Sequence, residues 1–456
     1  MAVDPDAATS SAGDGAKTQS GVKRARADAA READGRSSLY WTTALFAGGL
    51  IAGILGLLFG PASAPRGDNV PLGHGCEMVE IAKSLNEHGC FGDPFDTLPT
   101  GPTAVEPPLY PLALALAFKL LKSGGTVAVV SVFAAILANA LTAALLVRAS
   151  KVLFGSNAPG VIAGVLSILA AQPAPCWDVN HTQLGLVLLA VVTERLLAGS
   201  GGVAWRGMAA GAMAGLIALL NPVSALASTV CVAFFLMRRR PAFRDAVRFA
   251  AAFVVAAMLV NLPWLGRNYG IWGEFIVRTS FGVTLHESNN DCAAPSLAVN
   301  ISNGCSTAMH PNGNADEAFQ LARLGEPAYN RQKTAEAMAW IESHPARFAR
   351  LSGQRVIDFW FPYPKPPAYA AYAVWAITIL SIPGLVWMRR RREAAGRLLL
   401  AVFLIYPLAY YVVVSDLRYR TPILWLSCLA AGYFLCALRT ELGAAARRRW
   451  PRASAA

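Results

Sequence analysis

Glu77, Glu80, Asp93, Asp96 and Glu106 are gathered within residues 77–106, among turns stiffened by Gly92, Pro94, Gly101, Pro102, Pro107 and Pro108. A carboxylate held against an apolar surface loses hydration, which raises its pKa and suits it to take a proton from a hydroxyl near neutral pH. Taken singly, each of these acids reads better as a solvated surface charge. Their density beside rigid turns is what points to a site.

Arginine supplies the second kind of chemistry. Arg267 sits in Pro263-Trp264-Leu265-Gly266-Arg267-Asn268-Tyr269-Gly270, and Arg418 and Arg420 flank Tyr419 in Asp416-Leu417-Arg418-Tyr419-Arg420-Thr421-Pro422. A guanidinium forks onto phosphate oxygens. The structural alternatives are snorkelling to lipid headgroups and pairing with Asp416. His286, Glu287 and His310 are possible metal donors, but no His or Cys spacing follows a metal signature, so no metal ligand is assigned. The carboxylates alone leave a divalent cation open as a cofactor. There is no phosphate-cradling glycine loop, no G-x-S-x-G elbow and no internal repeat.

The elements that must position these residues are apolar. Of 456 residues 55% are hydrophobic and only 15% charged, which fits a polytopic membrane protein and not a water-soluble one. The net charge of +12 is spread over the ends of apolar runs and forms no single stripe, so nucleic acid is not expected as a partner. About ten runs are long enough to span, given tilt: 39–60, 125–147, 157–172, 182–198, 207–221, 222–237, 244–265, 367–388, 397–414 and 421–438. With a cytoplasmic amino terminus, Arg148 and Lys151, Arg195 and Arg206, the arginines at 238–240 with Arg244, those at 389–392 with Arg397, and those at 447–449 all fall on the cytoplasmic side. That is the positive-inside pattern, and Arg267, Arg418 and Arg420 stand outside it.

Residues 1–38 are polar and poor in large apolar side chains, and are expected to be a disordered cytoplasmic tail. The polar stretch is too long for a signal peptide, so 39–60 reads as a retained anchor despite Ala62-Ser63-Ala64. The run 109–121 is too short to span and is placed at the outer interface. External loops are then expected at 61–108, 172–182, 267–366 and 415–420, with a basic cytoplasmic tail over 439–456. Within the first loop, residues 77–85 carry helical spacing: Met78, Ile81, Ala82 and Leu85 share one face, and Glu77, Glu80 and Ser84 the other. Such a helix would lie on the membrane with its carboxylates raised. In the large loop, two helices are expected, the second carrying Phe348, Leu351, Ile357, Phe359, Trp360 and Phe361 as an aromatic belt. Cys76, Cys90, Cys176, Cys292 and Cys305 fall in the external loops, where disulfides are permitted. The simplest pairing is Cys76 with Cys90 and Cys292 with Cys305, with Cys176 a further candidate.

The fold class read from this pattern is an all-α polytopic membrane protein with a helical first external loop and a large external loop. The order of the motifs resembles the C-type polytopic glycosyltransferases, in particular bacterial members of family 39, which includes protein O-mannosyltransferases and the lipid A aminoarabinose transferase. The resemblance rests on Glu77 in the first loop, Thr100-Gly101-Pro102-Thr103-Ala104 leading into Pro107-Pro108-Leu109-Tyr110-Pro111, and Pro263-Trp264 with Arg267-Asn268-Tyr269. It extends through Met309-His310-Pro311-Asn312, Leu324-Gly325-Glu326 with Tyr329, and Arg418-Tyr419-Arg420-Thr421-Pro422-Ile423. It departs from the family at His74 and Gly75, where better-known members carry an acidic pair, and at 284–290, where relatives tend to have a glutamate, a tryptophan and a glycine.

The resemblance implies a polyprenyl-phosphate sugar as donor and an acceptor hydroxyl on a glycan, lipid or protein. Transfer, with inversion, would occur at the periplasmic side of a bacterial inner membrane. It assigns the base to Glu77, with Asp93 and Glu106 as alternatives. Arg267, Asn268, Arg418, Tyr419, Arg420, His286 and Glu287 become the substrate-binding set, the arginines stabilising the departing phosphate. A transporter or flippase of lipid-linked envelope intermediates is the competing reading, and a non-catalytic scaffold a third. Ionisable residues concentrated outside nearly charge-free spans favour surface chemistry.

Overall fold

The computed structural model describes the backbone of residues 10–59, 76–364 and 368–449, and side chains between 35 and 445 within those stretches. Among the described residues the chain is built from helices, without a named strand. The order is α1 (Ser10–Phe59), α2 (Glu77–His88), α3 (Leu109–Leu121), α4 (Gly124–Phe154), α5 (Ala158–Ala170), α6 (Val179–Ala198), α7 (Val203–Leu220), α8 (Ser224–Arg239) and α9 (Phe243–Trp272). It continues with α10 (Phe281–Ser288), α11 (Leu297–Ser302), α12 (Cys305–Met309), α13 (Ala315–Leu324), α14 (Glu326–Ser343) and α15 (Pro345–Trp360), then α16 (Tyr369–Arg390), α17 (Ala394–Ile405) and α18 (Leu417–Arg449).

Seven of these are long and apolar enough to cross a bilayer, within α1, α4, α6, α7, α9, α16 and α18. The expected runs at 157–172, 222–237 and 397–414 are also helical but shorter, as α5, α8 and α17 followed by the 3-10 turn Tyr406–Tyr410. Seven helices are long enough to cross on their own, and the count of about ten is reached only with these three shorter ones included. The backbone is helical back to Ser10, through part of the stretch expected to be disordered. That stretch is rich in Ala, Lys and Arg, which extend an existing helix at little cost.

Close backbone approach sets the packing. Gly207, Gly211 and Gly215 recur every four residues along one face of α7, and a Cβ on any of them would run into the α9 backbone or side chains at Phe249, Phe253, Ala257 or Val260. Small residues at that spacing let two apolar helices pack where lipid offers no hydrophobic drive. α9 turns Val254, Val255, Met258, Leu259 and Leu262 outward, as a lipid-facing surface requires. The buried core lies among α4 to α8 and α16 to α18, with Leu146, Leu189, Phe235, Val374, Leu399 and Trp425.

The charges divide the bundle into two ends. At one, Arg238 donates to Val152 O, Arg239 pairs with Glu194, Arg206 donates to Leu197 O and Gly199 O, and Arg391 pairs with Glu441. At the other, the loops interlock. Ser415 N donates to Pro295 O at 2.7 Å and Leu297 N to Ser415 O at 3.0 Å, while Thr279 N donates to Ala104 O at 3.0 Å. The first loop, the short loop before α6, the large loop and the turn before α18 therefore share one end, as the basic clusters imply.

Disulfides hold that end. Cys292–Cys305 forms as expected. Cys76 does not pair with Cys90: it bonds Cys176, 100 residues away, and Cys90 is a free, half-buried thiol. Sequence proximity favoured the local bridge, but α2 packs against α3, which carries Cys76 to the short loop before α6.

Candidate functional site

A cavity of about 860 Å³ opens among the interlocked loops and runs in between the helices. Its wall carries carboxylates from four separate segments, Glu77, Glu106, Asp178 and Glu287 among them, and the guanidinium-bearing Arg278 and Arg418.

Glu77 is the first residue of α2, directly after Cys76, so the bridge to Cys176 fixes where it emerges. The helix does not raise one face into solvent, because protein covers it on both sides. Met78, Val79, Ile81, Ala82 and Ser84 are all buried, and Glu77 Oε2 is itself buried and has no hydrogen-bond partner. Its Oε1 lies 3.9 Å from His310 Nε2. Asn312 N donates to His310 Nδ1 at 3.2 Å, which leaves the ring proton on Nε2, the side of the carboxylate.

Glu106 ends a segment held from beneath. Glu326 accepts from Ala104 N at 3.0 Å and from the Thr279 hydroxyl. Glu106, 3% exposed, takes a 2.6 Å bond from Arg278, whose Nε donates to Val105 O at 2.8 Å; Glu106 Oε2 has no partner. Burial pushes the Glu106 carboxyl up to about 7, against the opposing pull of Arg278. Asp178, just ahead of α6, accepts from Thr182 at 2.7 Å and Asn221 at 3.3 Å. Burial raises its pKa, and those hydrogen bonds oppose the rise.

Arg418 lies 3.8 Å over the Trp177 ring and donates to the Tyr419 hydroxyl at 3.4 Å; its Nε is buried without a partner. Tyr419 lines the cavity beside it. Glu287 accepts from Ser306 at 2.5 Å, and Ser306 follows Cys305 of the second bridge.

Several expected site residues face elsewhere. Arg267 donates to Thr103 O, Asn268 Oδ1 and Phe91 O, each within 2.8 Å, and lies against the Phe91, Trp264 and Trp272 rings. It clamps the first loop and does not line the cavity. Asn268 is buried and donates to Ile276 O. Arg420, with 0% exposure, donates to Phe359 O, Trp360 O, Thr378 and Ser427. Asp93 closes a turn in the left-handed region, φ 50°, accepting from Gly101 N at 2.8 Å and Ser84 at 2.9 Å. His286 turns to Glu336, 3.4 Å away. Of the expected base Glu77 and the expected phosphate-binding Arg267 and Arg420, only Glu77 lines the cavity.

Arg278, Asp178 and Trp177 were not singled out from the sequence. Arg278 is one of several cations in the large loop at 267–366, so nothing local marks it, whereas Asp178 is the one acid between residues 172 and 182, a signal that a search for isolated charges would find. Among the described residues no three His, Cys, Asp or Glu side chains converge as a metal ion would require. Glu106 is already engaged by an arginine, so the donor set does not fit a resident cation.

No family model matches the chain, and no curated protein matches it either. Solved structures do. The oligosaccharyltransferase AglB of Archaeoglobus fulgidus, in complex with an inhibitory peptide and a dolichol-phosphate, superposes with a TM-score of 0.55 at 12% identity over 90% of this chain. The A. fulgidus oligosaccharyltransferase with Zn and sulfate gives 0.53 at 13% over 87%, and its apo form 0.54 at 13% over 91%. The chain spans about half of those proteins, 52%, 49% and 53% of their lengths. The fold is that of the C-type polytopic membrane glycosyltransferases, as the motif order implied.

Proposed function

We propose that this protein is a membrane glycosyltransferase that moves a sugar from a polyprenyl-phosphate donor to an acceptor hydroxyl. The observation that carries the reading is the cavity itself, where Glu77 and Glu106 face the same space as Arg278 and Arg418. One archaeal neighbour was solved with a dolichol-phosphate and a peptide, which supports a lipid-linked donor on this fold.

In this reading Arg278 and Arg418 hold the donor phosphate, and their fixed charge matches the charge that grows on it in the transition state. The acceptor oxygen bonds to the anomeric carbon as the bond from that carbon to the phosphate oxygen breaks. The electron pair leaves with the phosphate, and the hydroxyl proton passes to Glu77. Glu77 suits the part because one oxygen is free and the other faces His310. Attack opposite the leaving phosphate inverts the anomeric centre. Two disulfides at the loop end and basic clusters at the other support a non-cytoplasmic position for the cavity, in a bacterial inner membrane with both termini cytoplasmic.

The test is incubation of the purified protein in liposomes with radiolabelled polyprenyl-phosphate sugars. Label leaving the lipid supports the enzyme; label crossing leaflets with the bond intact overturns it in favour of a flippase.

A further inference from the structure

The same cavity that Arg278 and Arg418 line is also lined by neutral amides. Gln183 lies one turn into α6 and Asn139 midway along α4, and Asn180 and Asn221 join them on the wall. Asn180 is committed to the fold: its Nδ2 donates to Asn139 Oδ1 at 2.9 Å and to Gln172 O at 3.0 Å, and its Oδ1 accepts from Ala174 N. The others are not fully used. Asn139 Nδ2 is buried without a partner, and Gln183, only 3% exposed, makes no hydrogen bond among the described residues.

Amides left without partners in an apolar bundle are costly, most of all the buried Nδ2 of Asn139. They suit a ligand that is polar, uncharged and able both to donate and to accept. A polyprenyl chain offers neither, and a phosphate would leave the amide carbonyls facing like partial charge. A sugar ring offers both at each hydroxyl. Asp178 ties the amides to the charged part of the site, accepting from Asn221 at 3.3 Å while lying close enough to raise the Glu106 pKa.

We infer that Gln183 and Asn139 form the subsite for the sugar of the donor, reading its hydroxyls while Arg278 holds the phosphate. This rests on the glycosyltransferase reading and adds to it a binding determinant apart from the carboxylates.

The test compares binding of polyprenyl phosphoryl-mannose, -glucose and -arabinose with methyl polyprenyl phosphate, a diester of equal charge without the sugar. The native protein should bind at least one sugar lipid about tenfold more tightly than the methyl diester, and Gln183→Ala and Asn139→Ala should each remove most of that difference. Binding of the methyl diester should not change, which separates the effect from misfolding. As a second readout, Gln183→Cys should be shielded from a thiol reagent by the sugar lipid and not by the methyl diester. Equal affinities in the native protein, or a difference that survives both substitutions, overturn the subsite while label release leaves the enzymatic reading standing. If no diester binds and no label is released, both fall.

Discussion

Cys76 and Cys176 are bonded to each other, and each stands next to the cavity: Glu77 follows the first, and Trp177 and Asp178 follow the second. One covalent link thereby sets the spacing between the proposed base, the ring beneath Arg418 and a buried acid. Glu287 is treated similarly, since Cys305 precedes the Ser306 that donates to it.

Reduction should therefore disable the protein before it unfolds it. Cys176→Ser is expected to lower stability by about 2–4 kcal/mol and to abolish label release, whereas Cys90→Ser should do neither. Thermal unfolding in detergent with parallel activity assays decides it. Equal behaviour of the two variants would remove the role given to the bridge.

Glu77→Gln keeps the shape of the side chain and removes its basicity. Sugar transfer should fall by roughly 10²–10⁴-fold with donor affinity unchanged. Undiminished transfer at saturating donor would take the base role from Glu77 and pass it to Glu106.

The arginines should separate into two classes. Arg278→Lys and Arg418→Lys are expected to fold normally and bind the donor at least about tenfold more weakly, since a bidentate fork becomes a point charge. Arg420→Ala should instead lose at least about 2 kcal/mol of stability, because its carbonyl and hydroxyl partners are left buried and unpaired. Arg267→Ala should loosen the first loop, read as faster proteolysis within 91–103. If the lysine variants of the first class melt early while binding donor normally, the division is wrong.

Glu106 predicts a pH dependence with a definite sign. Its folded pKa of about 7 lies above its ordinary 4.5, so the folded state binds this proton more tightly than the unfolded state. The stability it contributes is complete below 4.5 and is lost as pH rises through 7. Glu106→Gln should flatten that part of the melting-temperature profile between pH 4.5 and 8. Protonation also frees Arg278, so affinity for a phosphodiester donor should rise as pH falls from 8 to 6, and the variant should bind tightly throughout. Parallel profiles for both proteins would contradict this.

Much of this molecule was legible in its residues. Apolar run length fixes where helices form, and the arginines at 238–240 and 389–392 fix which ends gather, because both depend on local composition against a layered solvent. The carboxylates of the first loop, Glu77 and Glu106 among them, were likewise marked by their density beside prolines. Which cations meet them was not. Arg418 and Arg420 are two positions apart on α18, about 200° around its axis, so only one can face the cavity, and the rotation of α18 is decided by the helices around it. The same holds for Cys76, whose partner lies 100 residues away because α2 packs on α3, and for Arg278, Asp178 and the amides of α4 and α6. Their convergence is a property of packing between distant segments, which no local pattern encodes.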